Sequence, residues 1–351
     1  MIFTSDNASP AHPRVMEAMQ RANEGFAMPY GADPIMENVT ARIREIFEAP
    51  EAAVYLVATG TTANVLSLAC LVEPWQTIYC HEAAHIQMDE CGAPEFYTGG
   101  AKLVLLDGDD AKFTPDTLRR AIETTPQGFV HSVQRGAVSL TNASEAGAVY
   151  SPAEVTAISE VAKAFDLPLH MDGARFANAL VASGASPAEM TWKAGVDVLS
   201  FGGTKNGLIG VEAVVLFDPN RAWEFELRRK RGGHLFSKHR YLSAQMEAYL
   251  DGDLWLEMAR AANRAAGRLS KGILTIPGAS LVHPTQANAV FASWPRGGHR
   301  RAQQAGAAYY FWPDMNATLD GPDEEMISAR LVCSWCTGDE DIDRFLDLIS
   351  G

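Results

Sequence analysis

The sequence predicts an α/β protein with a mostly parallel central sheet, helices on both faces, and a smaller α+β domain at the C-terminus. Three observations carry that prediction. Short apolar, β-branched runs alternate with helical stretches from Ala53 to Phe217. Beyond Phe217 the alternation stops, and long helical segments lead into a second group of strands. Between the runs VDVLSF and VEAVVLF lies a glycine-rich loop, GGTKNGLIG, with Lys205 at its centre. Glycine lets a backbone approach a ligand closely. Lysine forms Schiff bases with carbonyls, so Lys205 is a candidate for holding an aldehyde cofactor.

Taken in order, His12 to Glu24 reads as a helix closed by Gly25, followed by the polar and aromatic loop FAMPYGADP. Asp33 can cap the next helix, to Phe47, with Pro34 in its first turn and Ile35, Val39, Ile43 and Ile46 on one face. Ala53–Ala58 is a strand that breaks at Thr59-Gly60-Thr61-Thr62 and enters an apolar helix, Ala63 to Val72. A strand, turn and helix of this kind either binds an anion on the free N–H groups of the helix start or is a plain turn. Thr77–Cys80, Lys102–Leu106, Ala137–Thr141 and Pro168–Asp172 read as buried strands. Helices start at Thr114-Pro115 and at the two SPAE capping boxes, Ser151–Glu154 and Ser186–Glu189. After the strands around Lys205 come a charged helix, Trp223–Lys230, the unassigned stretch RGGHLFSKHRYLSAQ, and a long helix, Leu254 to Leu269. Strands Asn288–Trp294, Tyr309–Trp312 and Ile327–Trp335 follow. A last helix carries Ile342, Phe345, Leu346 and Ile349 on one face. The expected division is a large domain over 1–250 and a small one over 251–351.

Composition narrows the function classes. A net charge of −14 argues against nucleic acid or an anionic membrane as the main partner, while leaving room for a local phosphate site. No apolar run is long enough to span a membrane, and MIFTSDNASP lacks the basic start and apolar core of a signal peptide. Five cysteines, an odd count, fit a reduced, cytoplasmic setting.

Two metal-like or redox-like patterns are weak. His81-Glu82-Ala83-Ala84-His85 matches H-E-x-x-H, but it directly follows a strand and lacks a third ligand, so no metal is expected. Cys333 and Cys336 form a C-x-x-C at a strand end, without a second pair, and read as core packing. His170-Met171-Asp172-Gly173-Ala174-Arg175 is more informative. An acid at the C-terminal end of a buried strand needs a cationic or proton-donating partner, and ligands bind at that edge of a parallel sheet. Either Asp172 and Arg175 pair with each other, or Asp172 holds a protonated ring nitrogen and Arg175 a carboxylate.

TGTTAN at Thr59–Asn64, HMDGAR at His170–Arg175 and GGTKNG at Gly202–Gly207, in this order and spacing, resemble the L-threonine aldolase family, from SDN at Ser5–Asn7 to SARLVCSW at Ser328–Trp335. The resemblance implies a pyridoxal 5'-phosphate enzyme of fold type I, related to aspartate aminotransferase. It further implies retro-aldol cleavage of L-threonine, L-allo-threonine and other β-hydroxy amino acids, phenylserine among them, to glycine and an aldehyde. Another reaction on the same fold, β-elimination or transamination, or a non-catalytic cofactor-binding protein, stands as the alternative.

The resemblance also implies roles. Lys205 matches the lysine that binds the cofactor aldehyde, and Asp172 the partner of the pyridine nitrogen. Gly60 and Thr61 match the phosphate turn, and His85 the histidine on the ring face. Arg175, Arg330 and Ser5 match the residues around the substrate carboxylate. Tyr30, from the YGADP loop, is expected to approach the site, and Lys238, with Arg240 second, to contact phosphate from the neighbouring subunit of a homotetramer. His85, a water it holds, or the cofactor phosphate is expected to take the hydroxyl proton. One departure stands out: Ser144, in Thr141-Asn142-Ala143-Ser144-Glu145, occupies the place of a second histidine found in many relatives, and the upstream His131 is no substitute.

Overall fold

Short β-branched runs build the central sheet of the computed structural model, which describes residues 1–351. Its seven strands are β1 (Ala53–Val57), β2 (Gln76–His81), β3 (Lys102–Leu106), β4 (Gln134–Thr141), β5 (Leu169–Gly173), β6 (Val198–Gly202) and β7 (Glu212–Leu216). They lie in the order β1-β7-β6-β5-β4-β2-β3. Every neighbouring pair from β3 to β6 is parallel, and β7 is antiparallel to both β6 and β1. The reversal follows from chain length: the loop from β6 to β7 is too short for the crossover a parallel return requires.

Side chains of β6 and β7 alternate between two apolar cores, one on each face. Leu199, Ala213 and Val215 enter one, and Val198, Val214 and Leu216 the other. The covering helices are α1 (Pro13–Ala22), α2 (Pro34–Ile46), α3 (Gly60–Ala69), α4 (His85–Met88), α5 (Ala93–Thr98) and α6 (Pro115–Thr124), then α7 (Pro152–Lys163), α8 (Phe176–Ser183), α9 (Pro187–Met190), α10 (Ala222–Arg231) and α11 (Arg240–Leu250). The long α12 (Leu254–Ile273) serves two cores. Trp255 and Met258 pack under the central sheet, whereas Leu269 and Ile273 pack under a second one.

That second sheet is antiparallel, with β8 (Ser280–Leu281), β9 (Ala289–Pro295), β10 (Tyr310–Phe311) and β11 (Met326–Val332) in the order β10-β11-β9-β8. Helices α13 (Arg296–Gln304) and α14 (Asp339–Ser350) flank it. The N-terminal stretch of the chain docks here too: Phe3 is buried in this core, its N–H donates to Ala308 O at 2.8 Å, and its carbonyl accepts from Val332 N at 2.9 Å. The residues after Phe3 are thereby held between the two sheets.

Some elements differ from the sequence reading. Helix α3 begins at Gly60, before the expected Ala63, because Thr59 caps it, Oγ1 accepting from Thr62 N at 3.1 Å. Strand β11 stops at Val332 rather than running to Trp335. The unassigned stretch after α10 contains α11, whose Leu242, Ala244, Gln245, Met246, Ala248 and Tyr249 are all buried. A helix enclosed on most sides carries no polar stripe, so its periodicity is weak.

Candidate active site

The parallel strands end together at one edge, and their C-terminal residues open into a cavity of about 810 Å³. Lys205, Asp172, His85, Arg175, Arg330 and Ser5 all line it. The site is thus assembled from the β6–β7 loop, β5, α4, the start of α8, the second sheet and the N-terminal segment.

Lys205 sits in a single 3₁₀ turn, Thr204–Asn206, and its Nζ makes no hydrogen bond or ion pair with the protein. The turn is held on every side. Gly203 N donates to Glu212 Oε2 at 2.6 Å, Asn206 Nδ2 donates to Tyr249 Oη and Trp255 O, both at 2.8 Å, and Val211 N donates to Thr204 Oγ1 at 3.2 Å. Glycine is required at two of its positions. A Cβ on Gly202 would lie 2.3 Å from Ala174 O, and Gly207 has φ +94° with Met258 Sδ 2.7 Å from where its Cβ would be. Glu212 itself is buried, which pushes its pKa up to about 7.

Asp172 closes β5 with both oxygens engaged. Oδ1 accepts Ala174 N at 2.9 Å and Oδ2 accepts Asn64 Nδ2 at 2.8 Å. Asn64 Nδ2 also donates to Glu90 Oε1 at 3.0 Å, and the same oxygen accepts His85 Nδ1 at 2.8 Å. A buried chain therefore runs from Asp172 through Asn64 and Glu90 to His85. Its bond to Glu90 raises the His85 pKa against the opposing effect of burial. With Nδ1 committed, Nε2 is the ring nitrogen left without a protein partner. Asn64 closes the TGTTAN motif without a role assigned to it and Glu90 lies in no motif; the part each plays is found only once α3 and α4 are docked.

Arg175 does not pair with Asp172. Its Nε and Nη2 grip Asp6 Oδ2 and Oδ1 at 2.7 and 3.0 Å, and Asn288 Nδ2 adds a third bond to Asp6 at 3.0 Å. Burial works against the Asp6 carboxylate, but Arg175, Lys205 and Asn288 outweigh it and hold its pKa below the usual range. Arg330 lies at the same end of the cavity. Burial and the nearby Arg175 charge lower its pKa, its Nε is buried without a partner, and its Nη2 reaches only Thr4 O at 3.5 Å. With one internal carboxylate, bonded to Arg175 alone, the two guanidinium groups leave donors for a further anion. Ser5 lines the wall beside them, its Oγ accepting from Asn7 N at 3.1 Å.

At the start of α3 the amides of Gly60 and Thr61 have no acceptor in the protein, the state that suits an incoming phosphate. His234, which carries no motif signal in the sequence, reaches this turn, its Nδ1 3.3 Å from Thr62 Oγ1. Tyr30, Lys238 and Arg240 do not line the cavity of the single chain. Tyr30 is tied to their segment by its N–H to Ser237 O at 3.1 Å, Lys238 is exposed, and Arg240 donates to Gly25 O at 2.9 Å.

The remaining motifs separate. His81 and His85 face different partners, His81 Nε2 lying 3.1 Å from Gly108 O. Cys333 is buried and Cys336 exposed. His170 is buried between Ser139 Oγ and Ser200 Oγ at 2.9 and 3.0 Å, and burial pushes its pKa down to about 4. Ser144 turns away from the cavity, donating to Asp110 O at 2.7 Å.

A free lysine, a strand-end aspartate and an open helix N-terminus around one cavity are the groups that an aldehyde cofactor with a basic ring and a phosphate tail requires, and the residues present fit pyridoxal phosphate. Fold and site together define a fold-type-I pyridoxal-phosphate enzyme. A serine palmitoyltransferase from Sphingomonas wittichii shares the fold, with a TM-score of 0.71 at 13% identity over 100% of this chain and 86% of that one. The model of the beta-eliminating lyase family matches residues 3–294. A low specificity L-threonine aldolase from Pseudomonas aeruginosa is 40% identical over 99% of this chain and 95% of its own. A second, from a Pseudomonas sp., is 39% identical over 95% and 93%. The threonine aldolase of Leishmania major superposes with a TM-score of 0.90 at 25% identity, covering 99% of this chain and 98% of that one. The chain belongs to the L-threonine aldolase family, within the beta-eliminating lyases, and is a carbon–carbon lyase that uses pyridoxal phosphate.

Proposed function

We propose that this enzyme cleaves L-threonine, L-allo-threonine and other L-β-hydroxy-α-amino acids, phenylserine included, to glycine and an aldehyde. The observation that carries the reading is the convergence of Lys205, Asp172, Arg175 and Arg330 on one cavity. In this reading Lys205 holds the cofactor aldehyde and Asp172 its ring nitrogen. Gly60 and Thr61 receive the phosphate, and His85 lies on the ring face. The cofactor supplies an electron sink for the pair released at Cα. Arg330, Arg175 and Ser5 bind the substrate carboxylate, which orients the Cα–Cβ bond. Leu105, Trp312 and Met315, also on the cavity wall, give the aldehyde portion an apolar surface that suits an aryl group. Tyr30, Lys238 and Arg240 act across a subunit boundary in a homotetramer, and a reducing cytoplasm suits the five free cysteines.

The test is to incubate the cofactor-loaded enzyme with L-threonine, L-allo-threonine and both phenylserine diastereomers and to measure glycine and aldehyde. No aldehyde from any of them overturns the reading; pyruvate from serine would instead mark β-elimination. Lys205→Ala should remove the visible-edge absorbance of lysine-bound cofactor and reduce cleavage to background.

A further inference from the structure

The chain just beyond β4 brings into the cavity a carboxyl group that none of these roles employs. Glu145 lines the cavity, and its Oε1 accepts the backbone N–H of His85 at 2.9 Å, which clamps the carboxyl where α4 begins. Its second oxygen has no protein partner, and no cation forms an ion pair with it. The groups whose charges reach Glu145 are Asp172 on β5, Lys205 on the β6–β7 loop, His85 on α4 and Arg175 ahead of α8, with Tyr150 and Cys80 on the protein side. A carboxylate partly removed from water, without a counter-ion, beside the reacting region is the arrangement of a general base. The competing group, His85, already has one ring nitrogen committed to Glu90.

Resting on the functional reading above, we propose that Glu145 is the catalytic base that takes the proton of the substrate β-hydroxyl through its unpartnered oxygen. In that step the hydroxyl O–H pair becomes the new C=O π bond of the aldehyde. The Cα–Cβ bond breaks, its electron pair stays with the Cα fragment, and the proton rests on Glu145. The Cα fragment then takes a proton from solvent to become glycine. Ser144 does not compete, because its hydroxyl is spent on Asp110 O. Burial, with the Asp172 charge adding to it, pushes the Glu145 pKa up to about 7, so the basic form accumulates as pH rises through neutrality.

Glu145→Gln separates this role from a structural one, because the amide oxygen still accepts the His85 N–H but takes no proton. Three readouts are compared in wild type and variant: threonine cleavage against pH in the loaded enzyme, exchange of the glycine α-hydrogen in heavy water, and carboxyl titration of the cofactor-free protein by difference infrared spectroscopy. Glycine exchange needs the cofactor and the carboxylate anchors but involves no β-hydroxyl. Cleavage is expected to fall about a hundredfold to ten-thousandfold with loss of its acidic limb, while glycine exchange persists and the Glu145 share of the carboxyl titration near neutrality disappears from the infrared difference, leaving that of Glu212. Unchanged cleavage in the variant overturns the proposal, as does a parallel fall of cleavage and exchange, which would make Glu145 a support for α4 alone. A wild type that exchanges glycine but cleaves no β-hydroxy amino acid overturns the functional reading itself.

Discussion

The two walls of the cavity treat charge differently. On the wall built by the central sheet, the acids are nearly all partnered: Asp172 has both oxygens bonded, and Asn64 and Glu90 carry the chain on to His85. On the wall built by the second sheet and the N-terminal segment, Arg330 keeps a buried Nε with no partner, and Arg175 is gripped by Asp6. An unpaired buried donor costs free energy until something fills it. On the first wall the Asp172 carboxylate is fixed before any ligand arrives, while Lys205 and the amides of Gly60 and Thr61 stay open, which suits a resident cofactor. The second is left incomplete, which suits a substrate that binds and leaves in every turnover.

Removing the incomplete wall's free guanidinium should have the largest effect on substrate capture. Arg330→Ala is expected to lower kcat/KM for threonine by about a hundredfold to a thousandfold, from the loss of a charged contact to a carboxylate. Cofactor absorbance should stay unchanged. A variant that instead loses cofactor and keeps KM would show that the two walls are not separate in function.

Asp6→Asn tests the bolt between the walls. It leaves Arg175 without its buried partner and should cost about 3–5 kcal/mol of stability by denaturant titration. The sign with pH follows from the depressed Asp6 pKa. The ion pair contributes above the unfolded carboxyl pKa and is lost as pH falls through the lower, folded one. The gap between wild type and variant should therefore close in acid; a gap that persists there would assign the effect to packing.

Glu90→Gln should be the mildest in stability and the clearest in spectroscopy. The Glu90 bond is the main cause of the raised His85 pKa, so the variant's His85 should titrate at lower pH by NMR. In wild type the stabilisation from this bond is present in full below the unfolded histidine pKa and fades as pH rises through the folded one. An unmoved His85 titration would break the chain from Asp172 at that link.

Much of the central sheet is legible in the chain because buried parallel strands are short apolar runs with turn residues between them. The run KLVLL coincides with β3, and the SPAE boxes open α7 and α9 with both reciprocal bonds formed. Helix α11 is not legible, because it is enclosed and shows no polar stripe. The turn at Thr59–Thr62 is legible as a choice between two readings, and the open amides of Gly60 and Thr61 favour the anion site.

By itself the sequence determined the sheet, the lysine loop and the family, because these rest on local periodicity, turn chemistry and motifs at fixed spacing. The partners were decided only by the tertiary structure. Asp6 meets Arg175, Asn64 meets Asp172, and Glu145 meets His85 across gaps of 169, 108 and 60 residues. Hydrogen bonds and ion pairs act over a few ångströms, so which acid serves which base is settled when the strands and helices dock, and no local pattern records it.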